Sequence, residues 1–162
     1  MHSRNVVVRS VRALAVILMI AGYVVLVRGN SAEASAIFDA GGDAGLWPVG
    51  LVFWTMWLIP GAILLLVALA LSPRSFASQV VAGVGGLAIL APTLKLAAIL
   101  LPPERQTSEG AWLDAAQWNH VADLYLAALI LIGAAGGLLL ASAFARVAPR
   151  QSADTPGELI AR

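Results

Sequence analysis

Long apolar runs separated by short polar segments make up most of this chain. A helix needs about 20 predominantly apolar residues to cross the hydrocarbon core of a bilayer. Four segments approach or exceed that length, and we predict transmembrane helices at about residues 6–28, 47–72, 77–101 and 120–146. The pattern therefore predicts an all-α polytopic membrane protein, with a four-helix transmembrane bundle in residues 1–147.

The charges at the ends of these runs set the limits of each predicted helix. Around the second helix no charge occurs between Asp43 and Arg74, which leaves ample length for one span. In the first helix only residues 13–27 are uncharged, so a full span needs the preceding turns as well. We expect the side chains of Arg9 and Arg12 to extend to the headgroups, because long basic side chains can reach the interface.

The segments outside the predicted helices are rich in small and polar residues. We expect Ser31 to cap a short separate helix that ends at Gly41 and Gly42. Residues 148–162 contain two prolines and several charges, and we expect them to form a disordered cytoplasmic tail. An alternative stays open at the start of the chain, where residues 1–34 resemble a signal peptide with a small-x-small cleavage site.

The composition agrees with a membrane protein and excludes several kinds of chemistry. Apolar residues make up 60% of the chain and charged residues 12%, whereas soluble domains have about 25% charged residues. The net charge of +1 provides no basic field, so we expect no nucleic-acid partner. The absence of cysteine removes disulfides, thiolate-bound metals and iron–sulfur clusters. We therefore predict no cofactor and no metal site.

The arginines predict the orientation, because cytoplasmic loops of membrane proteins are enriched in Lys and Arg. One side of the predicted bundle holds Arg28 and Arg105. The other side holds Arg4, Arg9, Arg12, Arg74, Arg146, Arg150 and Arg162. We therefore expect both termini in the cytoplasm. Nine arginines against one lysine, with abundant Ala and Leu, suggest a GC-rich bacterial genome and hence the bacterial plasma membrane.

Lys95 and Asp123 are charges that fall inside predicted helices, where a charge is costly and indicates a function or a partner. Both lie near the outward ends of consecutive antiparallel helices, so we predict that they form an ion pair. Extension of Lys95 to the headgroups and a ligand or ion site remain alternatives. His120 precedes Asp123 by three residues on the same helix face, and such a pair can hold a metal or relay a proton. We favour the simpler interpretation that His120 is an interfacial histidine.

Aromatic residues are concentrated in the outward half of the predicted bundle. Trp54 and Trp57 share a helix face and lie too deep for a simple interfacial belt. We expect them to pack against neighbouring helices. The alternative is an outward-facing pocket with these tryptophans and Tyr125 as its walls. The polar groups of that pocket would be Lys95, His120 and Asp123.

Small residues recur at every fourth position of the last predicted helix, at Gly133, Gly137 and Ala141. This spacing lets helix backbones approach closely, so we predict packing there and at Gly86 of the third helix. The alternative is that the stripe faces another subunit.

Two prolines fall inside predicted helices, Pro60 in the second and Pro92 in the third. A proline inside a helix removes one backbone hydrogen bond and frees the carbonyl four residues before it. We expect both to kink their helices and mainly to shape packing, although a kink beside Lys95 is also an ingredient of a binding site.

The sequence carries little catalytic equipment. It contains no nucleotide-binding loop, zinc-protease motif or serine-hydrolase motif. We therefore lean towards a non-catalytic accessory, assembly or scaffold component of a larger membrane complex. The alternative is a protein or transporter that binds a small molecule or lipid in the outward pocket near Lys95, His120 and Asp123. The expected partners are membrane lipids and either a larger membrane protein or further copies of this chain.

Overall fold

A computed structural model describes residues 2–39, 47–73, 75–100 and 115–145 of the protein. The helices within these ranges are α1 (His2–Asp39), α2 (Trp47–Ala70), α3 (Phe76–Leu100) and α4 (Ala115–Phe144). Within this described part, all four are long and apolar enough to cross a membrane. The predicted all-α fold with four such helices is therefore confirmed.

The four helices form a ring in which each is antiparallel to its neighbours. α1 packs along α4, α4 along α3, and α3 along α2, while the α1–α2 side closes the ring with the smallest contact. At one end, Arg12 of α1 reaches the last turns of α2 and α4 and the first turn of α3. We call this the Arg12 end. At the other end, Glu33 of α1 meets Tyr125 of α4, and we call it the Glu33 end.

Glycine sets the spacing between α1 and α4. A Cβ atom built on Gly22 lies 2.7 Å from the side chain of Ile132 and 3.0 Å from its backbone nitrogen. A larger residue at this position would force the helices apart, so their close approach depends on glycine. Gly29 lies opposite Tyr125 in the same way. The two contacts define one constant antiparallel register along the α1–α4 pair.

The contact between α3 and α4 is equally close at Gly86. A Cβ atom built there lies 2.8 Å from the backbone nitrogen of Leu140 and 2.9 Å from the carbonyl oxygen of Gly136. Backbone atoms cannot rotate away as a side chain can, so the two helices approach this closely because residue 86 is glycine. Gly136 faces Ile89 of α3 and extends the seam by another turn.

The outer surface of the bundle is apolar, like its interior. Only 28–39% of the most hydrophobic window of each helix is buried inside the bundle. The remainder is partly or fully exposed, and the exposed side chains include large ones such as Ile17, Met56, Leu87 and Ile130. Soluble proteins rarely expose continuous apolar surface of this extent. The outer surface therefore matches a hydrocarbon solvent better than water.

α1 is longer than the sequence indicated. The prediction ended it at residue 28 and started a separate short helix at Ser31, but α1 continues without a break to Asp39. The extension is held by packing, since Glu33 and Ala34 are buried. With 38 residues, α1 is about 57 Å long, far more than the roughly 30 Å that a hydrocarbon core requires.

α4 supplies the surface that covers this extension. It begins at Ala115 rather than near residue 120, and Trp118 and Val121 in its first turns are buried. The α1–α4 register places these two residues opposite the extension of α1. The bounds of α2 and α3 lie within two residues of the prediction. The expected tail at residues 148–162 lies outside the described residues.

Candidate functional site

Arg12 is completely buried, with 0% of its surface exposed. Its guanidinium donates hydrogen bonds to Ser78 Oγ at 2.6 Å and to the carbonyl oxygen of Ala68 at 2.5 Å. A further bond reaches Ser142 Oγ at 3.3 Å. A single side chain of α1 therefore binds groups on α2, α3 and α4 and connects all four helices.

The partners of Arg12 lie where helices begin or end. Ala68 is in the last turn of α2, where carbonyls lack partners within the helix and the helix dipole favours a positive charge. Ser142 has the same position in α4, and its hydroxyl donates to the Leu139 carbonyl at 2.7 Å. Ser78 is in the first turn of α3, and Arg12 bonds its hydroxyl. Arg12 thus compensates polar groups at helix ends that meet inside the bundle.

The burial of Arg12 corrects the expectation that its side chain extends to the headgroups. Arg9, one turn earlier, is exposed. The two arginines lie at different angular positions around the helix, and only Arg12 shares a face with the glycines that touch α4. Buried residues of that face recur at alternating intervals of four and three: Val8, Arg12, Ala15, Met19, Gly22, Leu26, Gly29 and Glu33. This spacing is typical of a helix–helix seam, and it was the signal in the sequence that could have placed Arg12 inside.

Glu33 lies on the same face of α1 at the opposite end and is 6% exposed. Tyr125 of α4, which is fully buried, donates a hydrogen bond from its hydroxyl to Glu33 Oε2. Trp54 of α2 packs edge-on against the Tyr125 ring, with 5.8 Å between the centroids. Asn30, one turn before Glu33, is also buried. A carboxylate, a phenol and an indole therefore connect α1, α4 and α2 at the Glu33 end.

Trp54 and Tyr125 of this cluster are among the residues predicted from the sequence, but Glu33 is not. The prediction ended the first helix at Arg28 and placed Glu33 in the short separate helix after Ser31. The candidate cleavage site also includes Glu33, and the structure places it within α1, where Ala34 is buried as well. Whether a signal peptide is removed stays a prediction.

Lys95 lies on the outer surface of α3 and is exposed. Its ammonium nitrogen is 4.5 Å from the centroid of the Trp57 ring on α2, which is a cation–π distance. Phe53 contacts the same ring, with 4.4 Å between the centroids and a tilt of 57°. We call these three side chains the Lys95 patch. Trp57 is half-buried and Phe53 is exposed, so the patch belongs to the outer surface.

The structure does not bring Lys95 and Asp123 together. Asp123 and His120 are exposed on α4, while the contact of Lys95 is with the Trp57 ring. Among the described residues, the expected ion pair is therefore not formed. The expected outward pocket is not assembled from these residues either. Its three polar groups do not converge, and Trp54 lies in the core instead.

The helix register explains this separation. The α2–α3 register places Lys95 level with Thr55. The Thr55 hydroxyl is 2.8 Å from the Tyr23 hydroxyl, so these residues share a level with Tyr23 of α1. In the α1–α4 register, Tyr23 lies opposite residue 131 of α4. Asp123 is about eight residues, or about 12 Å, further towards the Glu33 end. The predicted depth of Asp123 was wrong because α4 starts earlier in the chain, and so extends further towards the Glu33 end, than expected.

The small residues of α4 lie on different faces. The intramolecular seam runs through Gly136, and Gly86 lies on it. A Cβ atom built on Gly133 has its nearest neighbour at 3.7 Å, one built on Gly137 has none within 4 Å, and Ala141 is exposed. Each step of four residues turns by about 40° beyond a full rotation, so a stripe with that spacing moves off one neighbour within a few turns.

Pro60 and Pro92 lie inside α2 and α3, and both helices continue past them. Pro92 leaves the carbonyl of Ala88 without its usual donor. That carbonyl faces Gly61 of α2, where a Cβ atom would lie 3.1 Å from the oxygen. The freed carbonyl is therefore part of a close contact between α2 and α3.

Within the described ranges, no group of three or more acidic or histidine side chains could hold a metal ion. Comparisons of the chain with protein-family models, with curated proteins and with solved structures find no match. The candidate sites are thus defined by geometry alone. They comprise two buried polar clusters that join helices, the exposed Lys95 patch, and the exposed side of α4.

Proposed function

We propose that this chain is a multi-pass protein of the bacterial plasma membrane with both termini in the cytoplasm. The apolar outer surface supports the bilayer setting. The exposed Arg9 and Arg28 lie about 28 Å apart along α1, close to the roughly 30 Å of a hydrocarbon core. The excess of arginine at the Arg12 end favours the cytoplasm on that side.

We further propose that the protein is a non-catalytic accessory or assembly component of a larger membrane complex. The observation that carries this proposal is a surface of α4 that none of the other described helices covers. We call it the α4 outer face, and it consists of Ala127, Ile130, Ala134, Gly137, Ala141 and Phe144. These positions recur at alternating intervals of three and four, and small side chains let a second helix approach closely in a bilayer.

The buried polar groups support the same role. Arg12 is 0% exposed and Glu33 is 6% exposed, so neither presents its charge on the surface to a substrate. Both bond to other helices, which assigns them to holding the bundle together. The polar chemistry in the core thus stabilises the fold, and the α4 outer face is left for a partner.

Photocrosslinking in native membranes tests the docking role. A photoreactive amino acid replaces Ala134, which is exposed on the α4 outer face, and in a matched variant it replaces Val84, which is exposed on α3. We expect a discrete protein adduct from position 134 and lipid adducts alone from position 84. An adduct of twice the mass of the chain identifies a homo-oligomer, and a different mass identifies a separate partner.

A second variant separates docking from folding. Gly137→Leu adds a side chain where a Cβ meets no atom within 4 Å, so we expect no loss in the free energy of unfolding. The same variant should abolish the adduct at position 134 and stoichiometric co-purification of the partner. The proposal fails if position 134 gives no discrete adduct, or if Gly137→Leu leaves that adduct unchanged.

Binding of a lipid or small molecule is the second candidate function. The pocket expected from the sequence requires Lys95, His120 and Asp123 to converge, and they lie at different levels of the bundle. The observation that favours binding is the Lys95 patch, where a cation lies on an exposed aromatic surface.

A further inference from the structure

We propose that the Lys95 patch binds the phosphate of a phospholipid in the leaflet at the Glu33 end. The inference rests on the proposed membrane setting and develops the lipid-binding candidate. It is independent of docking at the α4 outer face, because Lys95 lies on α3 beside α2.

The charge on Lys95 is oriented by the Trp57 ring and is not neutralised by any of the described residues. The ammonium lies 4.5 Å above the Trp57 ring, and Phe53 supports that ring from its own helix. A cation–π contact attracts the ammonium through the ring quadrupole and leaves its net charge in place. Among the described residues, no acidic side chain pairs with Lys95. The described residues therefore leave the ammonium open to an external anion.

The position of Lys95 along the bundle selects an anion at the headgroup level. Lys95 is level with Tyr23, about 7.5 Å inside the level of the exposed Arg28. A bare charge on a lipid-facing surface at that depth is costly. The four-carbon stem of a lysine is long enough to bring its ammonium within reach of the interface, where phospholipid phosphates lie.

The surroundings of the patch fit acyl chains. Leu94 is 71% exposed beside Lys95 on α3, and Phe53 is 48% exposed on α2. A lipid whose phosphate meets the ammonium would lay its chains along this apolar surface. An acidic residue of a partner helix would instead have to be buried at the same depth at its own cost. The geometry therefore favours a lipid over a protein.

Anionic phospholipids should bind more tightly than zwitterionic ones. In phosphatidylcholine the choline compensates the phosphate charge, whereas phosphatidylglycerol keeps a net negative charge. A basic side chain near an anionic membrane surface contributes enough to change binding about fivefold. We expect the preference for phosphatidylglycerol over phosphatidylcholine with identical acyl chains to be of that order.

Native mass spectrometry of the full chain, titrated with either lipid, measures this preference. We expect Lys95→Gln to weaken phosphatidylglycerol binding about fivefold and Lys95→Arg to retain it. Arg28→Gln is the matched control, because it removes one exposed positive charge outside the patch. Trp57→Leu should weaken binding while the lysine remains, since it removes the surface that orients the ammonium.

Three outcomes overturn the proposal. Equal losses in Lys95→Gln and Arg28→Gln would mean that net charge alone sets the preference. Unchanged lipid binding in Lys95→Gln, with loss of a co-purified protein, would assign Lys95 to a partner helix. Equal binding of both lipids by the wild type would leave no anionic selectivity. Alkaline extraction of membranes tests the membrane setting separately, so its failure is distinguishable from a failure of lipid selectivity.

Discussion

Replacing Arg12 by methionine is the sharpest perturbation that the structure suggests. Methionine is long, unbranched and apolar, so Arg12→Met fills much of the same space and removes the hydrogen-bond donors. Arg9→Met is a matched control, because Arg9 lies one turn earlier on the same helix and is exposed. Both variants remove one arginine from the same end of the bundle, so any effect on membrane orientation is common to them.

The expected loss follows from the partners of Arg12. Without the guanidinium, the buried Ala68 carbonyl loses its donor, which costs about 1–3 kcal/mol. The charge-assisted bond to Ser78 is lost as well, while Ser142 keeps its bond to the Leu139 carbonyl. The variant also avoids the desolvation cost of a buried cation, which offsets part of this loss in the free energy of unfolding. We expect Arg12→Met to lower the free energy of unfolding by about 2–4 kcal/mol, and Arg9→Met by no more than about 0.5 kcal/mol.

Reversible unfolding of the purified protein in mixed micelles measures these values. A double-mutant cycle with Ser78→Ala isolates one contact, and we expect a coupling energy of about 1 kcal/mol or more between residues 12 and 78. If Arg12→Met is as mild as Arg9→Met, or if the coupling energy is zero, Arg12 does not hold the helices together as its hydrogen bonds indicate.

The remaining predictions use the same unfolding measurement. Gly86→Ala should lower the free energy of unfolding by about 1–3 kcal/mol, because its Cβ would lie 2.8 Å from the α4 backbone. Gly137→Ala should cause no loss, because its Cβ meets no atom within 4 Å. Equal losses would contradict the close α3–α4 contact at Gly86. Tyr125→Phe should cost about 1–3 kcal/mol, since it leaves the buried Glu33 without this donor. Tyr23→Phe, at a half-buried tyrosine, should cost less, and the reverse order would refute the structural role of the Glu33 end.

The fold was predictable because its main determinant is local. Each helix crosses the bundle through a run of apolar residues, and hydrophobicity within a run does not depend on which helix it meets. The end of α1 depends on tertiary contacts instead. Residues after Arg28 are small and polar, and they continue the helix because Glu33 bonds to Tyr125 of α4 and Ala34 is buried. Since α4 itself starts early, one boundary error followed from the other.

Residues of the candidate sites were predictable only where the prediction did not depend on the angular position of a residue around its helix or on the register between helices. Tyr125 and Trp57 were selected for their chemistry, and both take part in clusters in the structure. The pairing of Lys95 with Asp123 required the relative height of α3 and α4, which distances along each helix cannot supply. Placing Arg12 inside the bundle required the angular position of the α1 face that contacts α4. The sequence encodes that position only through the spacing of Arg12 from Gly22 and Gly29.

The pairing of the first helix with the last has a consequence for biosynthesis. Ser142 follows Arg12 by 130 residues, and Tyr125 follows Glu33 by 92 residues. Translation at about 5–20 residues per second therefore separates these partners by about 5–26 s. During that interval α1 needs water, headgroups or the insertion machinery around its polar groups. We therefore expect the polar groups of α1 to obtain their partners on α4 only after the last helix has been made.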